Sequence, residues 1–361
     1  MKITFVLPVA SLSGGIRVVA IYAERLQKRG HEVFCLSLPW PKPDFKSQVK
    51  SVLKGKGLIP NTPQEPSHFD GLSVTHRVLN RFRPVTDADL PDADVVVATW
   101  WETAEWVAKL SKSKGAKAYF IQHHEVFDYL PVDRVKATWR LPLHKITIAK
   151  WLVDLAHDEY GDFEVSLVPN SVDTNIFYAS PRSKQMVPTV GMLYAPATWK
   201  GCDICLKAFN LAAEQLPGLR MQVFGTSEPL VNLPLPANST YFHLPSNAQI
   251  RELYASCDAW LFGSRQEGFG LPILEAMACR TPVVGTPVGA APDFLTDGGG
   301  ILVRPEEPES MAAAIVKICT LPNDEWKAMS EAAYRRVTSY SWDDATDLFE
   351  AALQQAIDKA K

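Results

Sequence analysis

The sequence predicts an α/β protein with two Rossmann-like halves, because strand and helix patterns alternate in two separate sets. In the first set, an apolar strand at residues 3–8 leads through a Gly-Gly turn into a helix, and a second strand follows at 33–38. Two more buried strands are predicted at 94–98 and 118–122. A strand, a helix and another strand in succession predict a parallel sheet with a right-handed crossover.

The first helix is amphipathic and has a glycine directly after it. Its apolar face is formed by four residues at helical spacing: Val19, Tyr22, Ala23 and Leu26. Arg29-Gly30 is predicted to stop this helix. Residues 39–91 are rich in proline and have no clear periodicity, which predicts an irregular excursion from the first domain.

The second set begins near Thr189 and repeats the alternation. Its predicted elements are strands at 189–193, 221–224, 259–263 and 282–285, and helices from about 202 and at 249–256. We therefore expect a first domain at 1–170, a linker at 171–187, a second domain at 188–340 and a final amphipathic helix at 341–361. Ligands of such sheets lie at the carboxyl ends of the strands.

Composition and charge indicate an ordinary globular protein. The 361 residues fit two domains, and a hydrophobic fraction of 47% with a formal net charge of -3 gives no reason to expect a nucleic-acid partner. No apolar run reaches the roughly 18 residues that cross a bilayer. The N-terminal apolar stretch is too short for a signal peptide, so we expect a cytoplasmic protein.

The six cysteines are predicted to be buried thiols rather than a disulfide framework, because they are scattered along the chain. Cys202 and Cys205 are close enough for a metal pair, but no second pair at zinc spacing accompanies them. They lie on a predicted helix whose apolar face contains Cys205, Ala208, Phe209 and Ala212. Packing is therefore the favoured interpretation.

Two glutamates that bracket a glycine loop are the most informative feature of the chain. The stretch reads Glu267-Gly-Phe-Gly-Leu-Pro-Ile-Leu-Glu275, with Pro272 near the first turn of a helix. Free N–H groups at the start of a helix bind phosphate, and carboxylates accept hydrogen bonds from paired sugar hydroxyls. This layout suits one molecule that carries both groups, a nucleotide-sugar. The alternative is a pair of ordinary solvated glutamates.

Two further strand ends carry side chains suited to a sugar. Gln122-His123-His124-Glu125 follows one strand, and a histidine there can donate to or accept from a sugar hydroxyl or a leaving phosphate. A surface histidine pair is the alternative. Trp100-Trp101-Glu102 ends another strand, where an aromatic face can stack on a sugar ring. Core packing of either tryptophan remains open.

Several strings resemble the retaining glycosyltransferases of family 4, also called glycosyl transferases group 1. The strings are the glutamate loop, Ser13-Gly-Gly-Ile-Arg-Val-Val, Arg29-Gly-His-Glu-Val, Val168-Pro-Asn-Ser-Val-Asp173 and Lys200-Gly201. The resemblance covers nearly the whole chain. It implies the GT-B fold, in which two Rossmann-like domains face each other across a cleft, and a final helix that crosses back to the first domain.

The resemblance implies catalytic roles for His123, Glu267 and Lys200. Family members place such a histidine near the reacting carbon, such a glutamate against the donor sugar, and such a lysine on the donor diphosphate. The residues assigned to donor binding are Glu275, Phe269, Gly270, Leu271, Gly14, Gly15, Arg265, Gly225 and Gly289. Trp101 and Glu125 are assigned to the acceptor side. Glu275 matches the residue that holds the ribose hydroxyls.

The chain departs from the family pattern at one phosphate contact. Family members commonly have an arginine where this chain has Met192, and Arg265 or Arg17 is the candidate to replace it. Two Asp-x-Asp pairs, at residues 87–89 and 92–94, resemble metal-binding pairs of another fold but precede a strand away from the glutamate loop. We therefore expect neither a metal nor a cofactor besides the donor.

The resulting prediction is a metal-independent, retaining glycosyltransferase that moves a sugar from a nucleotide-diphosphate sugar to a sugar, glycan or lipid-linked acceptor, as in polysaccharide biosynthesis. The resemblance implies same-face attack, which fits the absence of a carboxylate obviously placed as a nucleophile. The alternatives are a nucleotide-sugar epimerase of the same fold and a non-catalytic nucleotide-sugar binder. A basic segment holds five lysines that suggest peripheral contact with anionic lipid: Lys42, Lys46, Lys50, Lys54 and Lys56.

Overall fold

The computed structural model describes residues 1–41, 45–54, 57 and 66–361, without the side chains of 45–47. The chain divides into two compact units. The first unit comprises Met1–Thr147, Leu152–Val168 and Thr346–Lys361, and the second unit comprises Ile148–Trp151 and Pro169–Ala345.

In the described part of the first unit, seven strands form one parallel sheet. The strands are β1 (Lys2–Val9), β2 (Glu32–Leu38), β3 (Thr75–Val78), β4 (Val95–Ala98), β5 (Ala116–Ile121), β6 (His144–Thr147) and β7 (Ser166–Leu167). Their order is β3-β2-β1-β4-β5-β6-β7, and every recorded pair is parallel. The order reverses between β1 and β4, which is the pattern of a doubly wound sheet.

The first helices of the chain are α1 (Gly14–Lys28), α2 (Phe45–Leu53), α3 (Trp101–Val107), α4 (Val132–Thr138) and α5 (Lys150–Tyr160). All four residues of the predicted apolar face of α1 are fully buried. Gly30 follows the helix with φ +91°, so the predicted stop is confirmed. The prediction of an irregular excursion at 39–91 was wrong where α2 and β3 lie, because elements this short show little periodicity.

The second unit has a six-stranded parallel sheet within the described residues. Its strands are β8 (Thr189–Tyr194), β9 (Arg220–Gly225), β10 (Ser239–His243), β11 (Ala259–Phe262), β12 (Val283–Gly285) and β13 (Gly300–Leu302), in the order β10-β9-β8-β11-β12-β13. The helices are α6 (Cys202–Gln215), α7 (Asn247–Ala255), α8 (Leu271–Ala278), α9 (Ala291–Leu295), α10 (Pro308–Thr320) and α11 (Asn323–Thr338). The order again reverses at one place, between β8 and β11.

The core of the second unit lies where α6 and α10 cover the strands. It contains Cys202, Cys205 and Phe209 together with the buried side chains of β8 and β9. All six cysteines are free and buried, as the sequence predicts. The Cys202–Cys205 pair therefore fills space in the core.

The last helix, α12 (Trp342–Ala360), belongs to the first unit from Thr346 onward. The Phe349 ring stacks on Tyr22 with 4.3 Å between centroids, and the Arg29 guanidinium pairs with Asp347 at 2.5 Å. The predicted linker at 171–187 lies in the second unit, where Phe177 is 1% exposed and packs edge-on against Tyr254.

No helix among the described residues combines the length and the apolar character needed to cross a bilayer. Of the five lysines behind the predicted lipid contact, Lys50 and Lys54 are described and exposed. Lys42 and Lys56, and the side chain of Lys46, lie outside the described residues.

Candidate functional site

The loops at the switch point of the second unit carry the residues predicted to act on the donor. One loop follows β8 and ends at Lys200, in a short 3-10 turn Thr198–Lys200. The other follows β11 and contains Glu267. Loops that leave neighbouring strands on either side of a switch point form the usual ligand crevice of a doubly wound sheet.

Two glycines hold these loops against each other. Gly201 has φ +60°, and a Cβ built there would lie 1.8 Å from the carbonyl oxygen of Gly263. A Cβ on Gly263 would lie 2.6 Å from Sγ of Cys205. The backbone N–H of Arg265 also donates to the carbonyl of Trp199 at 2.8 Å. Only glycines permit this approach, which brings the ends of the two loops together.

Lys200 and Glu267 form an ion pair at this junction. Nζ of Lys200 donates to Oε2 of Glu267 at 2.7 Å, and Oγ of Ser264 donates to the same oxygen at 3.4 Å. The side chain of Lys200 is 32% exposed and that of Glu267 is 16% exposed. The structure thus brings two of the three predicted catalytic side chains into direct contact.

Helix α8 begins next to this pair and presents its amino end. Gly270 precedes the helix with φ +102°, a conformation that favours glycine, and Pro272 lies in the first turn. In the described part of the chain, the N–H groups of Phe269 and Gly270 make no backbone hydrogen bond. Together with the N–H of Leu271, they form the kind of N-terminal nest that binds anions.

Gly289 packs directly beneath this loop. Its φ is +61°, and a Cβ there would lie 2.7 Å from the carbonyl oxygen of Phe269 and 3.2 Å from Cβ of Glu267. The next residue, Ala290, donates its N–H to that carbonyl at 2.9 Å. Gly289 therefore supports the loop and sets how closely the following turn approaches it.

Glu275 lies in the second turn of α8 and is 7% exposed. Its Oε2 accepts a hydrogen bond from the hydroxyl of Tyr254 at 2.9 Å. This bond fixes the orientation of the Glu275 carboxylate within the protein itself. The contact of Tyr254 was not predicted. The two residues are 21 positions apart in the sequence, so no local motif indicates that they pair.

The structure does not support the predicted donor contact of Arg265. Its guanidinium bonds both oxygens of Asp203 at 2.8 and 2.9 Å, both oxygens of Glu306 at 2.6 and 3.0 Å, and the carbonyl of Thr198 at 2.7 Å. All five N–H donors are used, and two carboxylates offset the charge. These hydrogen bonds, chiefly those to Asp203, raise the pKa of Arg265. Arg265 ties the Lys200 loop to the start of α6.

Two other positions in the second unit are packed rather than exposed to a ligand. A Cβ on Gly225 would lie 2.5 Å from the carbonyl oxygen of Tyr194 and 2.9 Å from the hydroxyl of Tyr241, so this glycine serves close packing between strands. Met192 is 1% exposed inside β8 and belongs to the core cluster. The structure therefore gives Gly225 no visible donor role, and it places residue 192 away from the strand end.

A small cavity of about 30 Å³ lies beside the ion pair. Its lining includes Lys200, Ser264, Glu267 and Pro272, together with residues of the strands below. The cavity belongs to the same site.

In the first unit, the predicted residues cluster at the corresponding strand ends. Gly14 and Gly15 open α1, and the side-chain amide of Gln122 donates to the carbonyl of Gly15 at 3.0 Å. Nδ1 of His123 accepts the backbone N–H of Glu125 at 2.9 Å. The His124 ring lies against Trp139, and its Nε2 is 2.7 Å from the hydroxyl of Tyr160. Burial lowers the pKa of His124.

The acceptor-side predictions for Glu125 and Trp101 are not supported, because both side chains are buried. Each is 4% exposed. The carboxylate of Glu125 accepts the backbone N–H of Trp101 at 3.0 Å, and Arg134 covers the Trp101 ring at 4.9 Å. Burial is also the main cause that raises the pKa of Glu125 well above its ordinary value. The left-handed backbone of Glu125 turns its side chain inward, which a strand-end position alone does not reveal.

The acidic Asp-x-Asp pairs are engaged with protein groups. Asp89 binds Arg83 at 2.5 and 2.6 Å, and Asp92 binds Lys114 at 2.8 Å. The backbone N–H of Ser111 donates to Asp87, and that of Lys2 donates to Asp94. In the described ranges, no group of three or more His, Cys, Asp or Glu residues is arranged to hold a metal ion.

A doubly wound sheet with a lysine and a helix amino end at its switch point is typical of nucleotide-binding α/β proteins. Residues 184–320 match the family model described as Glycosyl transferases group 1. This match lies within the second unit. The two Rossmann-like units together have the GT-B fold, so the predicted fold class is confirmed.

The relatives and solved structures are consistent with this match. D-inositol 3-phosphate glycosyltransferase from Mycobacterium tuberculosis is 33% identical over an alignment of 193 residues, and the match covers 49% of this chain and 38% of the relative. The structure of sucrose-phosphate synthase from Thermosynechococcus elongatus superposes with a TM-score of 0.75 at 16% identity and covers 98% of this chain and 99% of its own. The structure of Anabaena HepE in complex with UDP and glucose superposes with a TM-score of 0.73 at 16% identity. The match covers 98% of this chain and 100% of HepE.

Proposed function

We propose that this protein is a retaining glycosyltransferase that moves a sugar from a nucleotide-diphosphate sugar to an acceptor hydroxyl. The observation that carries the proposal is the meeting of Lys200, Glu267 and the amino end of α8 at the switch point of a unit that matches glycosyl transferases group 1. These groups provide a cation, N–H donors and a carboxylate within one loop junction.

The leaving diphosphate is assigned to Lys200 and the N–H groups of Phe269, Gly270 and Leu271. Negative charge grows on the bridging oxygen as the bond to the sugar breaks, and a fixed cation with fixed N–H dipoles stabilises that charge without reorganisation. The bond to Glu267 holds the ammonium in position on an otherwise flexible side chain. Donor binding adds the diphosphate as a second anionic partner.

The two carboxylates are assigned to the hydroxyls of the donor. Glu275, fixed by Tyr254 and nearly buried, is a preoriented acceptor for the paired ribose hydroxyls. Glu267 stands between Lys200 and Ser264 and is assigned to a hydroxyl of the transferred sugar. One molecule with a ribose, a diphosphate and a sugar satisfies the whole arrangement.

The pairing of Glu267 supports same-face attack. A carboxylate bound to an ammonium at 2.7 Å is a poor nucleophile, because its charge is already offset. We therefore propose that the acceptor hydroxyl attacks from the side of the departing phosphate, whose oxygen takes the hydroxyl proton. The bond from the anomeric carbon to phosphate oxygen breaks, a bond to the acceptor oxygen forms, and the configuration is retained.

The acceptor is proposed to be a sugar, glycan or lipid-linked molecule, and a place at the inner face of a membrane remains a prediction. The proposal of a nucleotide-sugar donor is supported by the structurally similar HepE, whose structures include complexes with UDP and with UDP-glucose. No metal or further cofactor is required by the proposed chemistry, since Lys200 and the N–H groups provide the positive charge.

The proposal is tested by incubating the protein with UDP-, GDP-, ADP- and dTDP-sugars and following the products by mass spectrometry. Slow release of one nucleoside diphosphate to water is expected, together with free sugar. The retained anomeric configuration is read by NMR from the glycoside that forms when an acceptor is added. Glu275→Ala should abolish the release, whereas the matched control Glu252→Ala, whose side chain is 72% exposed, should not.

Two outcomes would contradict the proposal. A converted sugar that is still joined to its nucleotide would make the protein an epimerase. Donor binding with no conversion, even with simple sugars and glycolipids added as acceptors, would make it a nucleotide-sugar binder.

A further inference from the structure

The loop that follows β5 contains a backbone conformation that glutamate rarely adopts. Glu125 has φ +62°, in the left-handed region that favours glycine and, among other residues, asparagine and aspartate. A turn alone would be served better by glycine. Such outliers persist where the surrounding structure holds them and often occur at functional positions.

The side chain of Glu125 is the anchor that holds this conformation. Its carboxyl group is buried, accepts the backbone N–H of Trp101 at 3.0 Å and is also bonded by the hydroxyl of Tyr119. Trp101 is the first residue of α3 and Tyr119 lies in β5. The loop is thus tied at once to a helix end and to its own strand.

The left-handed turn directs the backbone N–H of Glu125 onto the imidazole two residues earlier. The distance from this nitrogen to Nδ1 of His123 is 2.9 Å. A backbone N–H can only donate, so Nδ1 must accept and carries no proton. In the neutral ring, the proton is therefore on Nε2. The ring is also stacked on Phe127, with 4.9 Å between centroids.

We propose that Glu125 is a positioning residue that fixes His123 as the Nε2–H tautomer, so that the neutral imidazole acts on its ligand as a hydrogen-bond donor and not as a base. The inference rests on the proposed function for the role of His123. An N–H group that donates a hydrogen bond suits a hydroxyl or phosphate oxygen of the nucleotide-sugar. The sequence left donation and acceptance by this histidine equally open.

The test is long-range proton–nitrogen NMR on protein labelled with 15N-histidine, with His123→Gln used to assign the signals. Wild-type protein should show a pyridine-like Nδ1 and a pyrrole-like Nε2 for His123. Glu125→Gln keeps an acceptor for the Trp101 N–H and should keep this pattern. Glu125→Ala removes the anchor and should give a mixture of tautomers, while the signals of His124 stay unchanged.

The same variants give a kinetic readout. Glu125→Ala should lower kcat for donor hydrolysis with little change in KM, and Glu125→Gln should restore most of it. An Nδ1–H tautomer in wild-type protein, or an unchanged single tautomer in Glu125→Ala, would overturn the inference. If Glu125→Ala does not fold, the wild-type and Glu125→Gln spectra decide it.

Failure of the inference and failure of the proposed function are distinguishable. The NMR signature needs no turnover, so a fixed Nε2–H tautomer in a protein without transferase activity would contradict only the proposed function. Transferase activity with the opposite tautomer would contradict only the role of Glu125.

Discussion

Lys200 is the residue on which the proposed stabilisation of the leaving group depends most directly. Its ammonium is held by one short bond to Glu267, and its backbone is held by the contact between Gly201 and Gly263. The charge is therefore fixed both through the side chain and through the chain that carries it. Preorganised charge of this kind lowers a barrier more than a mobile lysine would.

Replacing Lys200 by methionine is expected to lower kcat by about 100-fold or more, the usual cost of losing one fixed group that stabilises developing charge. KM should change less, because the α8 N–H groups and Glu275 remain. Steady-state kinetics of donor turnover measures both. Lys207→Met on the exposed side of α6 is the matched control and should leave kcat unchanged. A Lys200→Met enzyme with wild-type kcat would remove the lysine from the mechanism.

At the site, the sequence alone predicts residues that lie within recognisable motifs, but not their contacts with residues outside those motifs. Glu267, Glu275 and Lys200 lie in strings with their own spacing and glycines, so their elements could be predicted. Tyr254 could not, since its bond to Glu275 forms only after α7 and α8 pack together. The bonds of Arg265 to Asp203 and Glu306 likewise join segments that are distant in sequence.

At the scale of elements, the packing of two loops against each other determines the site geometry. The Gly201 loop ends β8 and leads into α6, and the Gly263 loop ends β11 and leads to α8. Their backbones touch only because neither glycine has a Cβ. A side chain at either position would separate Lys200 from Glu267.

Gly201→Ala is expected to lower the free energy of unfolding by about 3 kcal/mol or more, since left-handed strain adds to overpacking. The midpoint of thermal unfolding should fall by roughly 6–12 °C. Gly218→Ala is the control in the same unit: its φ is +88°, but a Cβ there meets nothing within 4 Å. Left-handed strain alone should cost about 1–2 kcal/mol. Equal losses for both variants would mean that the loop contact is unimportant.

The strands that the sequence predicted are the buried ones. β4 and β11 are buried at every position, so their apolar runs were visible. β3 and β10 are edge strands of the two sheets, and most of their residues are exposed or half-buried. An edge strand needs no continuous apolar run, because many of its side chains are exposed to solvent. The sequence pattern therefore gave too little signal for these two.

At the scale of the whole molecule, both units repeat one design. Each has a parallel sheet whose order reverses at a single point, and in each the sequence motifs lie at the strand ends next to that point. Gly14 and Gly15 follow β1 as Lys200 follows β8. The two sets of alternating elements in the sequence predicted this repeat. The sequence did not predict that residues 171–187 belong to the second unit.

The cysteines give a prediction for the whole molecule. Burial raises the pKa of Cys257, Cys279 and Cys319 to about 12 and also raises the pKa of Cys35, Cys202 and Cys205. A raised pKa keeps each thiol protonated at pH 8, and the thiolate is the reactive form. Titration with a thiol reagent should show no fast-reacting group in native protein and six after unfolding. One fast thiol in native protein would contradict the structure at that position.

The central claim is that the second unit holds a nucleoside diphosphate between the loops that follow β8 and β11. Hydrogen–deuterium exchange, followed by mass spectrometry with and without the nucleoside diphosphate released in the donor panel, tests this most directly. We predict slower exchange in peptides that cover 195–204 and 264–275, with the α8 start among the most protected amides. Unchanged exchange there at saturating nucleotide, or protection confined to other segments, would contradict the claim.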